Sequence, residues 1–356
     1  MPDRVKSAGQ ANSPSEGRLP GTEAHDPSFA GRTSMTQRSA ILRIAAFSAW
    51  LLAAFVALHA LISGGLRRLE TGAFGVTNRI VAGQVNAEIV ISGSSRALNH
   101  YDPRIIHSVT GKSAFNIGRN GSQTDMQLAV LKTYLAHNAK PRLVIHNLDA
   151  FSFKTSHDVY DPAQYLPYLD QEPLYAALRK IEPDAWKWRC LPLYGYAVQD
   201  MRFNWIHGLR AWTGWEPRED HYMGFNPRFT QWTGDFDAYR ADHPQGVTFE
   251  IEPAGVNDLE ELARLCQSNS IPLLFVYSPE YSEMQAIERN RNELFGQFQS
   301  SADRYHVPVW DYSDSAICRN RSYFYNSQHL NADGAAAFSQ ALAERLRQGE
   351  IKGAQP

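Results

Sequence analysis

The chain has 356 residues, 43% of them hydrophobic and 20% charged, which is enough to bury a globular core and leave residues for a tail or an insertion. The formal net charge of -2 provides no basic footprint and argues against nucleic-acid binding. Cys190, Cys266 and Cys318 are far apart and show no CxxC spacing, so we expect buried thiols with one disulfide at most.

The N-terminal region divides into a polar and an apolar part. Residues 1–40 are rich in Ser, Gly, Pro and Ala without apolar periodicity, which predicts a disordered tail. Residues 41–65 are almost entirely apolar after Arg43 and match the ~20 residues that a bilayer core requires, which predicts a transmembrane anchor. A buried core helix is one alternative. A cleaved signal peptide starting near Met35 is another, but no small-x-small cleavage site precedes a polar mature start.

The orientation of this anchor follows from the arginines around it. Slightly more arginines precede the apolar run than follow it. The positive-inside rule therefore predicts a cytoplasmic N-terminus, with the chain after residue 66 on the periplasmic or extracytoplasmic side.

Beyond the anchor, apolar runs alternate with amphipathic segments. Three strands are expected at 87–92, 113–118 and 142–148, and two more start at Ile271 and Val307. Helices are expected at 124–138, 256–269 and 332–347. This order predicts one α/β domain over residues 66–350, with a flavodoxin-like, doubly wound, mainly parallel sheet and helices on both faces. Ligands of such folds bind at the carboxyl ends of the strands.

An aromatic-rich stretch from about 151 to 250 interrupts this pattern. It holds six of the eight tryptophans: Trp186, Trp188, Trp205, Trp212, Trp215 and Trp232. Two interpretations stay open, a wall on which sugar rings stack and a subdomain that the rings simply pack.

The first predicted strand ends in "GSS" at 93–95, where a serine would face the ligand crevice. A nucleophilic serine needs a base, and His329 stands just before the last helix, with Asn326 three residues earlier to hold the imidazole. The alternatives are a turn or helix cap for the serines, a loop histidine, and a turn asparagine. Gly118 and Gly121, after the second strand, let a backbone amide approach the reacting centre.

These motifs resemble the SGNH, or GDSL-like, hydrolase superfamily, and within it the membrane-anchored branch that includes polysaccharide O-acetylation proteins and the D-alanyl transfer protein of teichoic acids. The resemblance covers residues 87 to about 347, apart from the aromatic insertion. It implies that Ser95 is the nucleophile and His329, in "NSQHLNADGA", the base. It also places an oxyanion hole on the amides of Ser95 and Gly121, the latter in "NIGRNGS", with Gly118 as the alternative.

The sequence departs from the family pattern in two places. Asn326 stands where the family carries aspartate, so the histidine lacks a charged partner unless another carboxylate such as Asp333 serves. The third block reads "IHNLDAF" and lacks its oxyanion asparagine in register, so Asn147 is the candidate substitute and Asp149 a loop organiser.

The resemblance implies a serine acyl-ester enzyme that transfers acyl groups, acetyl above all, to an envelope or secreted polysaccharide or removes them. A multi-spanning membrane protein would supply the acyl group. No cofactor is implied, and the scattered histidines show no spacing typical of a metal site. Arg96 is expected to be solvated. The alternative function is a non-catalytic glycan-binding or assembly protein with a degenerate site.

Overall fold

The computed structural model describes residues 27–199, 202–218 and 221–349. Five strands form one sheet, and each lies within a predicted apolar run: β1 Ile89–Ser92, β2 Ala114–Asn116, β3 Leu143–Leu148, β4 Leu273–Tyr277 and β5 Val309–Asp311. Their order is β2-β1-β3-β4-β5 with every neighbouring pair parallel, which is the flavodoxin-like, doubly wound order. The predicted fold class is confirmed.

The described residues also form α helices that connect and cover these strands. They are α1 Pro27–Leu66, α2 Gly72–Val81, α3 Ser95–His100, α4 Pro103–Thr110, α5 Thr124–His137, α6 Glu172–Ile181, α7 Ala185–Cys190, α8 Tyr194–Val198, α9 Arg202–Ala211, α10 Asp235–Asp242, α11 Pro253–Ser268, α12 Ser282–Ile287, α13 Arg291–Arg304 and α14 Ala332–Arg347. Short 3-10 helices occupy Pro162–Tyr168, Ala316–Arg319 and Arg321–Tyr323.

The sheet is apolar on both faces because successive strand residues point to opposite sides. In β1, Val90 belongs to one core cluster while Ile89 and Ile91 belong to the other. Helices α5 and α11 pack on the first side, and α4 packs against α14 on the second. Burial of the sheet on both faces leaves its carboxyl edge as the place where loops and polar side chains gather.

The N-terminal helix α1 is longer than the predicted anchor. Its stretch Gln37–Leu66 is long and apolar enough to cross a membrane. The predicted disordered tail lies outside the described residues over 1–26, but residues 27–40 are helical, which corrects that part of the prediction. Extending an established helix fixes one residue per hydrogen bond, so a polar segment can continue it. The chain divides into compact units at Ala53–Ala54, and the larger unit begins within α1 and contains the sheet.

The cysteines are only partly as expected. Cys266 and Cys318 are buried, but Cys190 at the end of α7 is exposed, and all three are free thiols. Cys190 was expected to be buried, and the structure corrects this because α7 lies at the surface of the insertion.

Candidate active site

The "GSS" segment forms the turn between β1 and α3. Gly93 has a φ of 143°, and a Cβ there would lie 2.9 Å from the Cβ atoms of both Ala97 and Asn147. The Ser94 side chain accepts a hydrogen bond from the Arg96 amide at 3.2 Å and caps α3. Each residue therefore has its own task, with glycine for the close turn, Ser94 for the cap and Ser95 as the first helical residue.

Ser95 and His329 meet across 234 residues of sequence. The Ser95 Oγ lies 2.7 Å from His329 Nε2, and Ser95 is only 8% exposed. Both groups lie at the carboxyl edge of the sheet, because Ser95 follows β1 and His329 precedes α14. The distance is within the range for a nucleophile and its base.

Asn326 fixes which nitrogen of His329 carries the proton. Its Oδ1 accepts hydrogen bonds from the backbone amides of His329 at 2.9 Å and Gln328 at 3.1 Å, and it lies 2.9 Å from His329 Nδ1. An atom that accepts from two backbone amides must be the oxygen, so Nδ1 must donate to it. The Nε2 lone pair then faces the Ser95 hydroxyl, which is the arrangement of a general base.

Asn326 and His329 lie in a tight hairpin. Phe324 and Leu330 form an antiparallel bridge, and the Tyr325 ring stacks on His329 with centroids 5.3 Å apart. Beneath the hairpin, His100 Nε2 accepts a hydrogen bond from the Leu330 amide at 3.0 Å. These contacts hold the imidazole from the side and from below.

The electrostatics keep His329 neutral. The pKa of His329 is lowered to about 3, first by desolvation of the buried ring and then by the nearby cations Arg96 and Arg228. The partner on Nδ1 is an amide and adds no opposing charge. His329 is therefore a neutral, weakly basic group at physiological pH.

The candidate oxyanion donors differ in availability. Ser95 opens α3, so its amide has no acceptor within the helix. Gly121 has a φ of 63° and lies against the Tyr160 ring, where a side chain would clash. The Gly118 amide donates to Asn116 Oδ1 at 2.9 Å, which makes it a poorer choice than Gly121.

The side chain of Asn147 is not free to donate to an oxyanion, which corrects the prediction for it. It is fully buried, and its Nδ2 donates to the Leu148 carbonyl and to Asp149 Oδ1, both at 3.0 Å, while its Oδ1 accepts from the Tyr101 hydroxyl. Both amide hydrogens are in use, so the side chain organises the end of β3 instead.

Arg96 is not solvated, which corrects the expectation for it. The side chain is 2% exposed, its guanidinium lies 3.5 Å from Asp149 and 4.5 Å above the Tyr277 ring centroid, and it also donates to the Ser278 carbonyl. Burial raises the pKa of Asp149 to about 6 even beside this cation. The pair anchors the start of α3 to the ends of β3 and β4.

A cavity of about 170 Å³ opens beside the helix that carries Ser95. Its wall includes Leu98, Gly118, Asn120, Tyr160, Gln164 and Arg228. Arg228 lies close enough to His329 to lower the pKa of that imidazole, which relates the cavity to the base. The Arg228 Nε is buried and donates no hydrogen bond to any described residue.

Other candidates from the sequence lie elsewhere. Asp333 is exposed in the first turn of α14, whereas the atom bonded to His329 Nδ1 belongs to Asn326. Among the insertion tryptophans, Trp188 is 4% exposed in the core while Trp186 and Trp212 are 42% and 48% exposed. The insertion therefore contains both packed and exposed rings.

Three residues around the site were missed by sequence reasoning. Arg228 lies in the insertion without any motif around it. His100 occupies the last turn of α3, and its Nδ1 lies 2.9 Å from Ser278 Oγ. Only Ser278 carried a signal, because it directly follows β4 and so had to lie at the carboxyl edge.

No protein-family model matches the chain, and no curated protein matches it. Among solved structures it is similar to a candidate platelet activating factor from Streptococcus pneumoniae, with 13% identity, 85% of this chain and 99% of that chain covered, and a TM-score of 0.39. It is also similar to a GDSL-like lipase from Bacteroides thetaiotaomicron VPI-5482, with 10% identity, coverage of 72% and 88%, and a TM-score of 0.32. A candidate acylhydrolase from Bacteroides fragilis NCTC 9343 is also similar, with 11% identity, 73% of this chain and 87% of that chain covered, and a TM-score of 0.32.

Proposed function

We propose that the protein is a membrane-anchored serine acyl-ester enzyme of the SGNH type, which transfers an acyl group, acetyl above all, to or from a polysaccharide. The observation that carries the proposal is the 2.7 Å contact between Ser95 Oγ and His329 Nε2, with the tautomer set by Asn326. A serine at a strand end, next to an imidazole whose free lone pair faces it, is what nucleophilic catalysis requires.

In the first half-reaction the Ser95 Oγ attacks the acyl carbonyl while His329 Nε2 accepts the hydroxyl proton. The carbonyl oxygen becomes an oxyanion, for which the amides of Ser95 and Gly121 are the proposed donors. Collapse of the tetrahedral intermediate expels the leaving group with a proton from His329 and leaves an acyl ester on Ser95. In the second half-reaction a sugar hydroxyl or water gives its proton to His329 and attacks the acyl carbonyl, and the ester bond to Ser95 breaks as His329 returns the proton to Ser95 Oγ.

The cavity supports a sugar as the acceptor. Tyr160 offers an aromatic face, and Asn120, Gln164 and Arg228 offer polar groups for hydroxyl or carboxylate recognition. On its other side the wall is formed by Gly72 and Ala73 at the start of α2, which follows the end of α1 by only a few residues. A site so near the anchor suits an acyl donor presented by a membrane protein, with the active domain on the periplasmic or extracytoplasmic side.

The test is covalent labelling of the full-length protein in detergent with a serine-directed phosphonate, followed by mass spectrometry. We expect an adduct on Ser95 that is lost in Ser95→Ala and His329→Ala. Ser327→Ala, a serine substitution in the same hairpin, is the matched control and should label like wild type. Acetylation by p-nitrophenyl acetate should map to the same serine.

The competing function is a non-catalytic glycan-binding or assembly protein, and the replacement of the family aspartate by Asn326 is the observation that favours it. Such a protein would show no adduct and no ester cleavage in the wild type. It would also bind polysaccharide equally well as wild type and as Ser95→Ala. That pair of results would overturn the enzyme proposal.

A further inference from the structure

Exposed apolar side chains concentrate in one part of the insertion. Among the side chains that the structure describes outside α1, the large hydrophobic residues that are more than 40% exposed are Tyr160, Trp186, Leu191, Val198, Ile206, Leu209, Trp212, Met223 and Phe229. Six of these nine fall within residues 185–199 and 202–213, which contain α7, α8 and α9 and which we call the collar. Single exposed apolar residues are ordinary, but a cluster of them marks a surface that meets an apolar partner.

The collar packs against the last turns of α1. Trp212 Nε1 donates to the Leu61 carbonyl at 2.9 Å, and the Tyr196 hydroxyl lies 2.9 Å from Ser63 Oγ. The backbone of α9 approaches the helix so closely that a Cβ at Gly208 would lie 2.6 Å from the Ile62 carbonyl oxygen. This contact fixes the collar at the level of the end of the candidate membrane span.

The two faces of helix α9 differ in burial. Gly208 and Ala211, three residues apart, are buried, whereas Ile206 and Leu209 are 44% and 45% exposed on the opposite side. A surface helix of a water-soluble domain places polar residues on such a face. Here Ile206 and Leu209 share the outward face with the exposed Arg210, next to the end of the candidate membrane span.

The length of the anchor leads to the same conclusion. From Leu58 onward, α1 packs on the domain core, and 14 residues separate Leu58 from Arg43. As a helix they span about 21 Å at 1.5 Å per residue, which is short of the hydrocarbon core of about 30 Å. The remaining thickness must be covered by the part of the protein that surrounds Leu58–Leu66, and that part includes the collar.

The polar residues of the collar are of the kind found at a membrane interface. Arg68, just after α1, has its guanidinium 4.8 Å from the centroid of the collar residue Trp212, and Lys187 Nζ lies 5.9 Å from the centroid of the exposed Trp186 ring. Tryptophan at the headgroup level, with Arg and Lys directed to lipid phosphates, is typical of interfacial segments. A sugar-binding wall, by comparison, would not need Ile206 and Leu209 to face outward.

We propose that the collar lies in the boundary between headgroups and acyl chains of the bilayer and holds the Ser95 domain against the membrane surface. The inference rests on the membrane anchor of the proposed function. The ligand is the lipid surface itself, with phosphatidylglycerol or another anionic lipid favoured by the collar cations. The collar then keeps the cavity beside α2 near the source of a membrane-borne acyl donor.

The experiment uses the full-length protein in nanodiscs of phosphatidylcholine and phosphatidylglycerol, with nitroxide labels read by electron paramagnetic resonance. Cys190→Ser removes the exposed thiol, and Cys266 and Cys318 are buried. Into this background go, one at a time, Ile206→Cys in the collar, Phe55→Cys in the anchor and Phe229→Cys as an exposed apolar control outside both. A label that collides mainly with oxygen lies in lipid, and a label that collides mainly with a nickel chelate lies in water.

We expect the ratio of oxygen to nickel accessibility to be several-fold higher at residues 55 and 206 than at residue 229. An aqueous label at 206 together with a lipid-exposed label at 55 would overturn the collar and leave the anchor intact. Aqueous labels at both positions would overturn the anchor and the collar with it. A label at 206 that stays aqueous and becomes immobilised on addition of polysaccharide would assign the collar to sugar binding instead.

Discussion

Asn326→Asp tests whether the hydrogen bond to His329 Nδ1 governs the base. The substitution places a carboxylate where the amide oxygen lies 2.9 Å from Nδ1. With a separation of about 4 Å between charge centres and an effective dielectric of about 20, the attraction for an imidazolium is about 4 kcal/mol. That corresponds to about three pKa units, which would bring the pKa of His329 from about 3 to about 6. Desolvation of the new carboxylate takes back part of this gain.

The expected kinetic result follows from the charge that develops on His329 during serine attack. If about half of the imidazolium charge is present in the transition state, about 2 kcal/mol is realised, and the rate constant for Ser95 labelling at neutral pH rises about 30-fold. Because the base is active only when deprotonated, the variant loses this advantage as the pH falls below about 5. The assay is the rate of phosphonate labelling and of p-nitrophenyl acetate cleavage from pH 3.5 to 8.

The control for this prediction is Asn320→Asp. It adds the same charge at an asparagine that caps the 3-10 helix Arg321–Tyr323 instead of holding His329. It should leave the pH profile unchanged. An Asn326→Asp profile that coincides with wild type, with the acid limb unmoved, would refute the assignment of Asn326 as the partner of Nδ1.

Further predictions concern the charges around the site. In the wild type the pKa of His329 near 3 should keep the labelling rate nearly constant from pH 8 down to about 4, and an acid limb at pH 6 to 7 would contradict the structure. Arg228→Gln should move the acid limb to higher pH, because Arg228 lowers the pKa of His329, whereas Arg228→Lys should hold it in place. Arg96→Met leaves Asp149 buried without its cation and should lower the free energy of unfolding by about 3–5 kcal/mol in urea titrations, with part of the loss recovered in Arg96→Met/Asp149→Asn. Mixing with p-nitrophenyl acetate should give a burst of one p-nitrophenolate per protein followed by slower turnover, and linear release from the start would contradict a stable acyl-enzyme.

The fold could be predicted because its strands are buried on both faces. Such strands appear as uninterrupted apolar runs, and β3 at Leu143–Leu148 lies within the expected 142–148. The last helix, Ala332–Arg347, matches its predicted bounds because Asn331 caps its first turn, accepting from the Gly334 amide at 3.0 Å. Local chemistry was sufficient for both elements.

Arg96 shows where local chemistry was insufficient. A lone arginine after two serines is usually solvated, and the sequence gives no sign that Asp149 lies beside it. The two come together only because β1 and β3 are neighbours in the sheet, so that the residues after each strand meet at one edge. Asn147 failed as a prediction for the related reason that its orientation depends on Tyr101 and Asp149, partners that only the folded chain supplies.

The polar environment of Ser95 bears on whether acyl groups would be transferred or hydrolysed. Burial disfavours the imidazolium of His329 most, Arg96 and Arg228 disfavour it further, and Asn326 adds no negative charge to oppose them, so the base is weak. A weak base still permits attack on an activated acyl donor, whose leaving group departs readily, but it activates water poorly in the second step. The acyl-enzyme should therefore persist until an acceptor hydroxyl is held in place beside it by a cavity such as the one lined by Tyr160 and Arg228. Persistence of the intermediate favours transfer over hydrolysis, and a membrane-borne donor close to the start of α2 would supply the activated acyl group that such a site requires.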